Sequence, residues 1–154
     1  MGDLLLLLMP GLLCDARLWA PQEHAIGARV ATKVVVPDRE DSIEAMAERV
    51  LREAGAYPRL ALAGLSMGGR VAFEVWRRAS ARVVGLALLD TSPNRETPQG
   101  RRRRSAHMDR ARAGGLIEMV REDMLPGYLH ASRLAEPALL ECVQAMACTL
   151  GAEV

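Results

Sequence analysis

Aromatic side chains are scarce in this chain: one Phe, two Tyr and two Trp among 154 residues, so Leu, Ala, Val and Met supply the apolar mass. Charge of one sign is missing as well. Lys plus Arg number 20 against 19 Asp plus Glu, a net charge of +1, and no global field favours nucleic acid or a membrane surface. Lysine is nearly absent, Lys33 standing alone among the basic residues, and that bias carries no functional reading. Cysteine is limited to Cys14, Cys142 and Cys148, an odd number at no metal-ligand spacing. Thiols in that number, with no leader pattern, suit a reducing, cytoplasmic setting. Nothing marks the Cys14 thiol as acidified, so it reads as a small loop or core residue rather than a nucleophile.

Membrane-length apolar runs are missing too. Leu4–Met9 is far too short to span a bilayer. Its flank, Gly2 and Asp3, lacks the positive charge of a secretory leader, and no small-residue cleavage site follows. Leu13 before Cys14 spoils a lipoprotein signal. A buried strand is the reading that remains.

Half the residues are apolar and a quarter are charged, which is ordinary globular composition in a chain long enough for a real core. The first ninety residues alternate short apolar runs with helical patterns. Strands are expected at Leu4–Met9, Ala31–Val36, Leu60–Ala63 and Val83–Leu89, with Pro37 stopping the second. Helices are expected from Trp19 to about Ile26, from Ile43 to Ala54, and from Met67 to about Arg78. For the middle helix, Asp41 with Glu44 three residues on resembles a capping box, and Gly55 closes it. Trp19 and Trp76 read as packing residues. Strands that are apolar throughout and separated by helices predict a parallel sheet covered on both faces, an α/β three-layer sandwich. All strand C-terminal ends then lie along one edge, where ligands bind in such sheets.

Beyond Pro93 the character changes. Residues 94–115 carry Arg95, Arg101–Arg104, Arg110 and Arg112 with few large apolar groups, and helical patterns follow at about 116–124 and 136–150. The chain is therefore divided into an α/β part, 1–94, and a helical cap region, 95–154. The Arg101–Arg104 run has no interleaved aromatic, and it reads as a solvated cap or mobile loop rather than a nucleic-acid patch.

One segment points directly at chemistry. Gly64-Leu65-Ser66-Met67-Gly68-Gly69 follows the apolar run Leu60–Ala63 and has the G-x-S-x-G spacing of a nucleophile elbow, a serine on a tight turn between strand and helix. Gly64 and Gly68 fall where a side chain would collide with the neighbouring strand or helix. With this motif, the alternation, and the first loop Leu8-Met9-Pro10-Gly11-Leu12-Leu13-Cys14-Asp15, the chain resembles the α/β-hydrolase superfamily, in particular its compact bacterial esterase-like members with a helical cap. The resemblance is good over residues 3–93 and extends to the cap only in helical character. It implies Ser66 as nucleophile and the backbone N–H groups of Leu12 and Met67 as the oxyanion hole. Pro10 replaces the histidine common in the family's loop, a tolerable change because that loop contributes backbone. The family further implies a small acyl substrate, an ester, thioester or lactone, with no metal or cofactor.

The family's triad runs Ser, then Asp or Glu, then His along the chain, with the acid after the cap and the histidine later still. No strand pattern follows the cap here, so the expectation is a chain lacking both. Asp90, ending the fourth strand, is a weak alternative acid, with a structural or capping role ranked first. His24, His107 and His130 read as incidental exposed histidines, since nothing requires any of them to reach Ser66. Two functions stay open: a serine hydrolase whose base and acid are missing from this chain, and a non-catalytic interaction module of the same fold. The module could self-associate through an unpaired sheet edge.

Overall fold

A computed structural model describes residues 2–153 and divides the chain into two compact units. One holds the residues up to Leu12 together with Ala16–Pro93, and the other holds Leu13–Asp15 with the residues from Asn94 on.

The first unit is an all-parallel sheet with helices between its strands. The strands are β1 (Leu4–Met9), β2 (Ala31–Val34), β3 (Arg59–Leu65) and β4 (Val83–Leu89), in the order β2-β1-β3-β4. The helices are α1 (Ala20–Ile26), α2 (Ile43–Ala54) and α3 (Met67–Ala79). β1 and β3 run in register from Leu4 beside Arg59 to Met9 beside Gly64. Side chains alternate across the sheet as the pleat requires. Leu5, Leu7 and Met9 of β1, with Leu60 and Leu62 of β3, pack on Ala47, Val50 and Ala54 of α2 and Val71, Ala72 and Val75 of α3. Leu8 and Ala63 face the other way onto buried Trp19.

Four expectations need correction. The second strand stops at Val34 rather than Val36, although the Val35 N–H still reaches the Leu8 carbonyl at 2.9 Å. The cap of α2 is Ser42, whose Oγ accepts from the Ala45 N–H at 3.3 Å, and not Asp41. Trp76 is not a packing residue: it is 48% exposed on α3. The sheet is not covered on both faces throughout. Among the described residues β4 has one strand neighbour, and Val84, Leu86, Leu88 and Leu89 remain open to solvent.

The second unit is helical. The arginine run, expected as a solvated cap or mobile loop, forms α4 (Pro98–Arg110), a helix with no buried residue. Thr97 caps it, its Oγ1 accepting from the Gly100 N–H at 3.1 Å. Two π-turns follow, at Ala111–Gly115 and Val120–Met124, with Gly114 at φ 91° kinking the first. They flank α5 (Leu116–Met119); α6 (Leu125–Tyr128) and α7 (Pro137–Leu150) complete the unit. The arginines find local acids: Arg104 meets Glu96 at 2.9 Å, and Arg110 meets Asp123 at 2.8 Å. No helix among the described residues is long and apolar enough to cross a membrane.

Candidate active site

Three non-glycine residues among those described have positive φ: Leu13 at 58°, Ser66 at 51° and Asp90 at 41°. Each lies in the segment that follows a strand, β1, β3 or β4. Backbone strain of this kind costs of order 1–3 kcal/mol per residue and persists only where the surroundings over-determine it.

At Ser66 those surroundings can be named. Its ψ is −110°, so it stands between strand and helix geometry as the residue before α3. Its side chain makes no capping hydrogen bond, and the residue is exposed. The turn is held tight by glycines. A Cβ on Gly64 would collide with the Gly68 carbonyl and the Gly69 nitrogen. One on Gly68 would drive into the carbonyls of Met9 and Pro10. The start of α3 therefore rests on the loop after β1, and Gly11 of that loop would place a Cβ 3.6 Å from the Ser66 Cβ. This brings the backbone of Gly11, and hence its neighbour Leu12, to the same end of the sheet as Met67, the first residue of α3.

The end of β4 closes the other side. The Ser66 N–H donates to the Leu89 carbonyl at 2.9 Å, extending the ladder that pairs Leu65 with Leu89. The Thr91 hydroxyl donates to the Ser66 carbonyl at 2.7 Å. A Cβ on Gly69 would stand 2.6 Å from the Thr91 Cβ. Sequence reading singled out neither Thr91 nor a role for Gly69. The only available signal was the second glycine of the Gly68-Gly69 pair, which the motif spacing does not demand. Asp90 is exposed between Leu89 and Thr91.

The other candidates lie elsewhere or are otherwise engaged. His24 is exposed on α1. His107 Nε2 stands 3.8 Å from an Asp123 carboxylate oxygen, and His130 Nδ1 is 2.9 Å from Ser132 Oγ at the start of a 3₁₀ turn. Cys14 is buried, and that burial, reinforced by the charge of Asp15, pushes its thiol up to about 11, the opposite of an activated nucleophile. No cluster of three His, Cys, Asp or Glu side chains among the described residues could hold a metal ion.

Compared by sequence, no family model and no curated protein matches this chain. Solved structures do match. A thermophilic esterase from Thermogutta terrifontis is 26% identical with a TM-score of 0.84, over 97% of this chain and 60% of its own. An enol-lactonase from Burkholderia xenovorans LB400 is 22% identical with a TM-score of 0.81, over 99% of this chain and 62% of its own. A hydrolase from Pseudomonas aeruginosa PA01 is 22% identical with a TM-score of 0.78, over 97% of this chain and 60% of its own. The chain thus spans about three-fifths of the length of these structures.

Proposed function

We propose that this chain, whose fold is that of the α/β-hydrolase superfamily, carries the nucleophile half of a serine hydrolase acting on an ester, thioester or lactone carbonyl. The observation that carries the reading is Ser66 itself: strained, exposed, at the tip of a turn packed on the loop after β1, with no capping bond to its hydroxyl. Ser66 Oγ would attack the carbonyl carbon, and the N–H groups of Leu12 and Met67 would take the charge that develops on the carbonyl oxygen. Such donors act where the tetrahedral intermediate forms, and removing one in a comparable site costs about 10²–10³ in rate.

A serine hydroxyl near neutral pH needs a base, and the base needs an acid to orient it. We place both in polypeptide outside these 154 residues, in keeping with the two-fifths of the similar structures that the chain does not span. Asp90 emerges beside the elbow and would serve as the acid only once a histidine lies against it. Without that pair, a residual rate on the order of 10³–10⁴ above water is the ceiling set by oxyanion hole and binding alone. The substrate is a small acyl compound, the reaction needs no metal or cofactor, and the unpaired cysteines fit a cytoplasmic setting.

Incubation with a fluorophosphonate probe followed by peptide mass mapping tests this reading. The expected adduct is on Ser66, forming far more slowly than in an intact hydrolase because the base lies outside these residues, and it is absent from Ser66→Ala. A chain in which Ser66 stays unlabelled even after prolonged exposure to excess probe would show that the serine is not a usable nucleophile.

A second reading is favoured by β4. Its unpaired edge carries no charge and no proline, and both of its faces are open. Such an edge invites another strand, and a two-fold axis would pair β4 with the same strand of a second copy with no like charges opposed. In that reading the chain is an interaction module. Sedimentation should give a dimer that Leu86→Lys converts to monomer; a wild-type chain that is monomeric at every concentration would dismiss it.

A further inference from the structure

Ser66 pairs both of its backbone polar groups with the end of β4. Its N–H goes to the Leu89 carbonyl at 2.9 Å, and its carbonyl receives the Thr91 hydroxyl at 2.7 Å. That carbonyl also faces the first turn of α3, where the Gly69 N–H lies at 3.1 Å and the Arg70 N–H at 3.4 Å. Thr91 therefore makes the shortest of the three hydrogen bonds to it. Threonine is β-branched and stiff at χ1, so a hydroxyl seated this way also fixes where its methyl and Cβ lie. They lie against Gly69, where an added Cβ would be 2.6 Å from both Thr91 Cβ and Cγ2 and 2.8 Å from Oγ1. Residue 69 must be glycine for Thr91 to reach the elbow. The two positions are matched across 22 residues of sequence, both of them C-terminal to the strained serine.

We propose that Thr91 is a positioning residue for the nucleophile: through its bond to the Ser66 carbonyl it holds the serine at φ 51°, ψ −110°, and so sets where Oγ points relative to the Met67 N–H. The function of this bond rests on the reading of Ser66 as a nucleophile; the bond's mechanical role does not. The glycine contacts on the β1 side restrict what may approach the turn, but they make no bond to Ser66 itself. The end of β4 does. A small displacement of a reacting group can cost on the order of 10²-fold in rate, so one lost restraint on a strained turn is enough to be read.

The test uses the full chain with Thr91→Val, which keeps the shape and removes the donor, and Thr91→Ser, which keeps the donor. With a fluorophosphonate probe, Thr91→Val should label Ser66 about tenfold more slowly or worse, and Thr91→Ser within about twofold of wild type. In parallel, amide hydrogen exchange should quicken at Ser66–Arg70 in Thr91→Val and stay unchanged in α2, which reports the intact fold. Labelling and exchange in Thr91→Val equal to wild type would overturn the proposal. If even the wild type fails to label, the nucleophile reading falls, and the exchange result alone decides whether Thr91 restrains the elbow. Faster elbow exchange in Thr91→Val but not Thr91→Ser supports it, and equal exchange overturns it.

Discussion

β3 and β4 are adjacent seven-residue strands of similar make-up, Arg-Leu-Ala-Leu-Ala-Gly-Leu beside Val-Val-Gly-Leu-Ala-Leu-Leu, yet they occupy opposite surroundings. Leu62 of β3 is 1% exposed; its register partner on β4, Leu86, is 40% exposed. Composition does not separate them. β3 has a strand on each side and packed side chains on both faces, whereas β4 has one strand and largely bare faces. Within these 154 residues, about three-fifths of the length of the similar structures, the two apolar strands therefore differ in what covers them and not in what they are made of. β4 still matters to the site, because its last carbonyl and the threonine two residues on brace the serine at the tip of β3.

Truncation is the sharpest way to break the comparison. Leu62→Ala should cost about 2–5 kcal/mol by urea denaturation, the range for emptying a core leucine site, while Leu86→Ala should cost less than about 1 kcal/mol. Equal losses would mean that β4 is covered in solution, as the second-copy reading requires. The glycines give the next largest contrast. Gly68→Ala forces a Cβ into the Met9 and Pro10 carbonyls and should destabilise by about 1–3 kcal/mol or more. Gly85→Ala on β4 meets nothing within 4 Å and should stabilise by about 0.5–1 kcal/mol, the relief of a mid-strand glycine.

A smaller effect concerns α3, the helix that the elbow launches. Arg77 and Arg78 hydrogen-bond to Glu74 and hold its carboxyl down at about 2. A depressed carboxylate contributes stability above its unfolded value near 4.5 and loses it as pH falls through about 2. Glu74→Gln should therefore lower the melting temperature at pH 6, with the difference from wild type closing below pH 4. Smallest in consequence for the fold is a contrast of thiols: Cys148 is exposed, and Cys14 is buried with its thiol raised to about 11. Timed alkylation at pH 8 should modify Cys148 at least about tenfold faster than Cys14.

Much of the first unit was legible because its signals are local. Leu4–Met9 and Val83–Leu89 form strands over the expected residues, and Ile43–Ala54 is the expected helix closed by Gly55. The elbow was legible for the same reason, since five residues at fixed spacing state their own steric demand. What failed to show was whatever depends on a neighbour distant in sequence. Trp76 looked like core and is exposed, because which face of α3 is covered depends on what packs there. α4 was missed because its arginines and glycine give no apolar stripe, and periodicity then has nothing to read. Thr91 was invisible because a threonine after a strand has no motif; its meaning comes from lying 2.7 Å from the Ser66 carbonyl.

The sequence by itself determined the alternation of strand and helix, the parallel sheet and the serine that the sheet presents. Each follows from the pattern of apolar residues and glycines over a few positions, where the chain's own sterics decide. Tertiary structure alone decided which side chains of β4 stay open to solvent, that Gly69 must yield to Thr91, and that the end of β4 braces the serine at the tip of β3. These depend on strand order and on distances between segments some 20 residues apart, which the backbone sets only once the sheet has formed.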